Sequence, residues 1–196
     1  MSTDNTRISI YKCQSILPFS FTLPTEAVGD VLKTKSAITH IADSKAWIHF
    51  LAYTGLILSA RRKMDDYPLN TVADFFEKKM EFSKATEVYS FPVGLEKALD
   101  KAEVLCNRDE SFFYKDFIRL TVKGEVLLVN GERDIGEVTA RVSWKENPPE
   151  GLDLQISPRF LRKIIGVTRN FKVSPVKKAV LFETENFKHL IMAKIG

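Results

Sequence analysis

The order of apolar patterns along this chain recurs three times, and that recurrence restricts the fold more than any single motif. Residues 152–195 show it most plainly. Residues 152–156 read as a strand, and Ser157-Pro158 then starts a helix, serine as N-cap and proline at the first helical position. Phe160, Leu161, Ile164 and Ile165 give this helix one apolar face, and Gly166 stops it. Strands follow at 171–173, 179–183 and 187–195.

The same order is found at 87–143. Residues 88–91 are strand-like, and Pro92 opens a helix whose Leu95, Ala98, Leu99 and Ala102 fall at helical spacing. Strands are expected at 117–123, where Ile118, Leu120 and Val122 alternate, and at 125–129 and 137–143. A proline-containing turn at 145–151 leads to the third repeat.

At 7–62 the pattern is looser. Residues 7–12 alternate, 14–18 read as a loop, and 19–23 alternate again before Pro24, which suits the first turn of a helix. Ala27, Val28, Val31 and Leu32 form that helix's apolar stripe, and strands at 45–51 and 56–62 join through Gly55. Residues 65–68 break the pattern, and 75–85 are charged and weakly periodic, so this region reads as a linker with a helical turn. Three β-α-β-β-β units predict an α+β chain with antiparallel sheets and one helix per unit.

The N-terminus lacks the basic head and apolar core of a signal peptide, and no apolar run approaches membrane length. Cys13 and Cys106 match no metal or redox spacing, which makes a reducing cytoplasm the expected home. His40, His49 and His189 lie in separate units, away from any metal-ligand spacing, and read as sheet residues with hydrogen-bonded rings. Without a nucleophile elbow, a P-loop or a dinucleotide fingerprint, the expectation is no enzyme, no metal and no cofactor.

The formal charge of +4 says little by itself, and its distribution says more. Lys97 and Lys101 lie four apart, opposite the apolar face of their helix, and Arg159, Arg162 and Lys163 repeat the arrangement. Like charges at this spacing repel by a few tenths of a kcal/mol per pair, which an anion over the face would reverse. Two readings stand: a solvated face, since Glu96, Asp100 and Glu103 are close, or a face for nucleic-acid phosphates. No aromatic residue shares the cationic faces, Phe160 belonging to the apolar one, which disfavours single-strand stacking. The chain ends on Leu190-Ile191-Met192-Ala193 with Ile195 close behind, either a last core strand or a surface that something covers.

Six segments, in collinear order, resemble the bacterial DNA polymerase III β sliding clamp and its phage relatives. Thr3-Asp-Asn-Thr-Arg-Ile8 resembles the Thr-Asp-Gly-His-Arg-Leu strand of the clamp's middle domain. Residues 59–68, Ser-Ala-Arg-Arg-Lys-Met-Asp-Asp-Tyr-Pro, are similar to the motif that ends that domain. Residues 95–107 resemble the helix opening the last domain, and 137–142 the acidic strand after it. Residues 154–161, Leu-Gln-Ile-Ser-Pro-Arg-Phe-Leu, are similar to a strand-then-helix segment, and 189–196 to the family's ending of aliphatics and Met-Pro-Met-Arg-Leu.

The resemblance implies a processivity fold with antiparallel sheets outside and helices on the inner face. It divides the chain into residues 1–85, half of a middle domain plus linker, and residues 86–196, a complete last domain. Clamps are not enzymes: they encircle duplex DNA, contact its phosphate backbone without reading sequence, and tether polymerase and clamp-loader-type proteins through short peptides. By resemblance, Lys33, Lys35, Lys97, Lys101, Arg159, Arg162 and Lys163 face DNA. Thr3, Thr6, Arg7, Ile8, Pro68, Val72, Leu190, Ile191, Met192, Ala193 and Ile195 line the partner-peptide groove. Val104 and Leu105 match a subunit interface, so an oligomer, or a partner chain supplying the missing domains, is implied. Asn5, Thr6, Ala193 and the ending Lys194-Ile195-Gly196 depart from the family pattern. A non-ring interaction protein of the same fold, a decoy or regulator of replication partners, is the alternative from another functional class.

Overall fold

The computed structural model describes residues 2–3, 7–12, 17–63, 71, 82, 87–108, 116–174, 179–192 and 194–195. The chain forms two compact units: a large one of Met1–Cys13 with Val72–Gly196, and a small one of Gln14–Thr71. Every strand pairing within them is antiparallel.

The large unit holds two repeats. In the first, β6 (Tyr89–Ser90) leads into α2 (Leu95–Glu103), then β8 (Asp116–Lys123), β9 (Val126–Arg133) and β10 (Gly136–Ser143). In the second, β11 (Asp153–Ile156) leads into α3 (Pro158–Ile165), then β12 (Asn170–Ser174), β13 (Ala179–Glu183) and β14 (Phe187–Met192). The short β7 (Asn107–Arg108) pairs with β8.

The repeats exchange their leading strands. β6 joins the second repeat's sheet beside β12, and β11 joins the first repeat's sheet beside β8. The sheet order β1-β2-β14-β13-β12-β6 includes β1 (Ser2–Thr3) and β2 (Arg7–Tyr11), and β10-β9-β8-β11-β15 ends on β15 (Lys194–Ile195).

One core serves both repeats. α2 buries Leu95, Ala98, Leu99 and Ala102, and α3 buries Pro158, Leu161, Ile164 and Ile165, the stripes their spacing predicts. Burying one such leucine contributes roughly 1.5–3 kcal/mol. Phe91, just past β6, stacks on Phe171 of β12 with ring centroids 4.1 Å apart, and Trp144 and Phe182 close the aromatic cluster. β9 passes so near α2 that a Cβ at Gly131 would lie 2.2 Å from the Ala102 carbonyl oxygen. No side chain fits there.

In the small unit, α1 (Thr25–Lys33) precedes a three-stranded sheet of β3 (Ile38–Ser44), β4 (Trp47–Ala52) and β5 (Ile57–Arg61). Ile48, Phe50 and Ala52 on β4 are its buried apolar residues.

One expectation fails in the small unit. Residues 19–23 form no strand, although they alternate; they settle ring on ring instead, Phe19 against Phe21 and Phe21 edge-on to Phe50. β3 is an addition, hidden because only Ile38, Ile41 and Ala42 interrupt its polar run. The α1 stripe exists in spacing, but α1 has no buried residue. In the large unit α2 starts at Leu95, after a turn from the Pro92 carbonyl and a left-handed Gly94, rather than at Pro92. The linker residues 65–68 and most of 75–85 lie outside the described residues.

Candidate functional site

Two surfaces of the large unit collect the residues with functional promise. The first is built by β2 and β14. Register sets Leu190 opposite Ile8, Lys188 opposite Ile10 and His189 opposite Ser9, while on its other edge β14 sets Leu190 opposite Leu181 and Met192 opposite Ala179. Side chains alternate faces along a strand, so Phe187, His189 and Ile191 share one face, and Lys188, Leu190 and Met192 the other. The first face carries Phe187 and Ile191 into the main core. The second presents a separate apolar set: Ile8, Ile10, Leu181, Leu190 and Met192.

Within that set, Leu190 is 1% exposed and Leu181 3%, whereas Ile8, Ile10 and Met192 are half-buried. The reachable apolar surface therefore belongs to Ile8, Ile10 and Met192, with Leu190 beneath them. Ile191, 0% exposed, points into the core and serves as support. Thr3 and Arg7 are placed as strand residues, opposite Ile8 and Ile191. Ile195 is drawn to the other sheet, where it pairs with Leu154. Thr6, Pro68, Val72 and Ala193 lie outside the described residues. Ile10, Leu181 and Ala179 escaped sequence reasoning, because only cross-strand register joins them to the tail.

The second surface is the outer side of α2 and α3. Lys97, Lys101, Arg159 and Lys163 are exposed there. Arg162 is different: its guanidinium meets Asp100 at 2.9 Å and Glu103 at 2.5 Å, both on α2. It ties the helices together, and its charge is locally offset. Glu96 is likewise engaged by Arg169, whose other nitrogen donates to the Pro92 carbonyl at 2.9 Å. The Arg169 hydrogen bond holds the Glu96 carboxyl below the usual carboxylate range. Five cations on the two helices thus meet three anions, and all three of those anions are engaged by Arg162 or Arg169. In the small unit Lys33 is exposed and bonded to Asp30 at 2.9 Å, and Lys35 is exposed at a positive φ of 52°.

Val104, the α2 C-cap, is 70% exposed, and Leu105 beside it is half-buried. The histidines are hydrogen-bonded sheet residues, as expected: His40 with Thr39, His49 with Ser44 and Ser59, His189 with Ser9. Cys106 is a buried free thiol, its pKa pushed up to about 11 chiefly by burial. Among the described residues no group of three or more His, Cys, Asp and Glu side chains could hold a metal ion. No helix among them is long and apolar enough to cross a membrane.

No protein-family model and no curated protein sequence matches the chain. Solved structures do. The DNA polymerase III subunit β of Pseudomonas aeruginosa superposes with a TM-score of 0.73 at 14% identity, covering 98% of this chain and 54% of that one. The DNA polymerase sliding clamp of Bacillus subtilis gives 0.73 at 17% identity, with 98% and 52% covered. The DNA polymerase III β chain of Streptococcus pneumoniae gives 0.74 at 16%, again with 98% and 52%. A further P. aeruginosa clamp structure, bound to griselimycin, covers 98% of this chain at a TM-score of 0.72. The chain spans about half the length of the clamps it matches, and over nearly all of its own length it has the sliding-clamp fold.

Proposed function

We propose that this chain is a DNA sliding clamp or a section of one, a processivity factor that contacts duplex DNA and tethers replication proteins, with no chemistry of its own. The likeness to sliding clamps over 98% of the chain is the observation that carries this reading. The division of labour between the two surfaces supports it.

On α2 and α3, the cations Lys97, Lys101, Arg159 and Lys163 meet phosphates, with Lys33 and Lys35 of α1 and its following turn contributing from the small unit. Lysine ammonium groups on flexible stems suit phosphate contact without base readout, which lets a protein slide. Arg162 has a lesser part in DNA contact, because Asp100 and Glu103 already hold it.

On the β2–β14 face, Ile8, Ile10 and Met192 receive aliphatic and aromatic anchors of a short peptide from polymerase or clamp-loader-type proteins. Methionine adapts to irregular apolar shapes, and a shallow patch with a few anchors gives modest, exchangeable affinity. Two clamps of this fold, from Pseudomonas aeruginosa and Bartonella birtlesii, bind griselimycin. Val104 and Leu105 take part in a subunit contact that builds a larger assembly in the cytoplasm.

Binding of a fluorescent duplex across a salt series tests the DNA half of the reading. Affinity that falls steeply with salt and ignores sequence supports it, and absence of binding at low salt contradicts it.

A further inference from the structure

The sheet of the small unit has an outer face that differs from its counterpart in the large unit. Alternation along the paired strands sorts the side chains. Ile41, Phe50 and Leu58 face one way, with Phe50 buried, and His40, Leu51 and Ile57 face the other in one row. The next two rows are Ala42, His49 and Ser59, then Ser44, Trp47 and Arg61. His40, Trp47, Ile57 and Arg61 are exposed there, Trp47 to 45% and Ile57 to 63%. In the large unit the same face of β8, β9 and β10 carries Arg119, Asn130, Glu137, Thr139 and Arg141, with charges of both signs. Its Arg119, Glu137 and Arg141 are exposed with both repeats in place, so this is not the face on which one repeat meets its mate.

The small unit's outer face is cationic. Among the described residues none of its three strands places a carboxylate there, while Arg61 stands on β5 and Lys45 is exposed at the β3–β4 turn. Asp43, the one carboxylate of β3, lies opposite the buried Ile48 on the other face and is held by Arg62 at 3.2 Å. The outer face is also rich in flat groups. The Trp47 indole and the Arg61 guanidinium belong to register partners, and His49 follows Trp47 two residues along β4, about 7 Å away. The His49 ring is held in place, with Ser59 Oγ 2.8 Å from Nδ1 and Ser44 Oγ 3.1 Å from Nε2. His40, hydrogen-bonded to Thr39, stands at the next diagonal position. This is the interleaving of rings and cations that α2 and α3 lack.

We infer that this face binds single-stranded DNA without regard to sequence. Bases stack on the flat side chains, and Arg61 and Lys45 take the phosphates. Every base has a π-face, so a row of tryptophan, histidine and arginine planes accepts any of them. An acidic peptide would satisfy the two cations but would leave the row of planar groups without a role. Leu51 and Ile57 extend the face as an apolar floor for sugars and base edges. The α2–α3 surface offers lysines to a duplex backbone, whereas this face offers stacking that only unpaired bases can use. The choice of DNA over RNA rests on the proposed clamp function; the stacking face does not.

The chain has two tryptophans and Trp144 is 1% exposed, so quenching of intrinsic fluorescence by an added ligand reports on Trp47. The probe is oligo(dT) of about 16 nucleotides, within the range of single-strand sites, added to the full chain. Saturable quenching is expected, with affinity that falls as salt rises. By anisotropy of labelled oligo(dT), Trp47→Ala should weaken binding about tenfold and Trp47→Phe much less. Arg61→Ala should lower the slope of log K against log salt by about 0.7. An intact oligo(dT) signal without duplex binding counts against the proposed function and not against this face, and the reverse counts against this face alone. Absence of quenching overturns the inference, as does oligo(dT) binding that survives Trp47→Ala at full strength. Quenching by a peptide of alternating Asp and Leu in place of oligo(dT) overturns it in favour of an acidic protein partner. Tighter binding of oligo(U) overturns the choice of DNA.

Discussion

The buried imidazole of His189 on β14 and the hydroxyl of Ser9 on β2 share a 2.6 Å hydrogen bond across 180 residues of chain. The two residues are register partners, so the bond fastens the N-terminal strand to the tail beneath the apolar face of Ile8, Leu190 and Met192. Ser9→Ala removes the hydroxyl and with it this hydrogen bond to the His189 ring. It should lower stability by about 1 kcal/mol, read as a lower urea midpoint at unchanged slope.

Two glycines respond in opposite directions to alanine. Gly131→Ala drives a methyl group against backbone, the Ala102 and Leu105 carbonyl oxygens at 2.2 and 2.8 Å, which cannot move aside cheaply. A loss of about 2–3 kcal/mol is expected, as for overpacked cores. Gly29, within α1, has nothing within 4 Å of its would-be Cβ. Gly29→Ala should therefore stabilise by roughly 0.5–1 kcal/mol through helix propensity. Thermal unfolding of both variants checks the pair.

Asp153 on β11 accepts two hydrogen bonds from Arg119 on β8, one of 2.7 Å from Nε and a second from Nη2. The Arg119 hydrogen bonds hold the Asp153 carboxyl below its ordinary range. A carboxylate with a depressed folded pKa adds stability that is complete above its unfolded pKa and is lost as pH falls through the folded one. Arg119→Ala should cost about 0.5–1 kcal/mol at pH 7, a partly exposed pair. The difference from the parent should close as the pH falls below about 4. Urea titrations at pH 7 and pH 3 measure it.

The repeats were legible where local chemistry and packing agree. Ser157-Pro158 marked α3, and the spacing of Leu95, Ala98, Leu99 and Ala102 marked the buried face of α2, because a helix's own periodicity selects what it buries. Residues 19–23 misled, since alternation reports a segment's suitability for a ladder but not the presence of a partner strand. Arg162 looked like its neighbours in spacing, but Asp100 and Glu103 reach it only through helix–helix packing. The tail run Leu190-Ile191-Met192 could not be divided into core and surface from sequence. Register divides it, turning Ile191 inward and leaving Met192 half-buried beside Ala179.

The cations on the two helices should be separable in a DNA titration. Lys97→Ala and Lys163→Ala should each reduce the slope of log K against log salt by about 1, for any duplex sequence. Arg162→Ala should change the slope less and the stability more, because its guanidinium is committed to Asp100 and Glu103.

The claim that this chain tethers proteins is tested most directly by anisotropy of a fluorescent peptide of the Gln-x-x-Leu-Phe type. The account predicts saturable binding in about the micromolar to tens-of-micromolar range, with Met192→Ala and Ile8→Ala each weakening it about tenfold, roughly 1.4 kcal/mol. No binding at ~100 µM, or binding that neither substitution alters, would contradict a partner groove on the β2–β14 face.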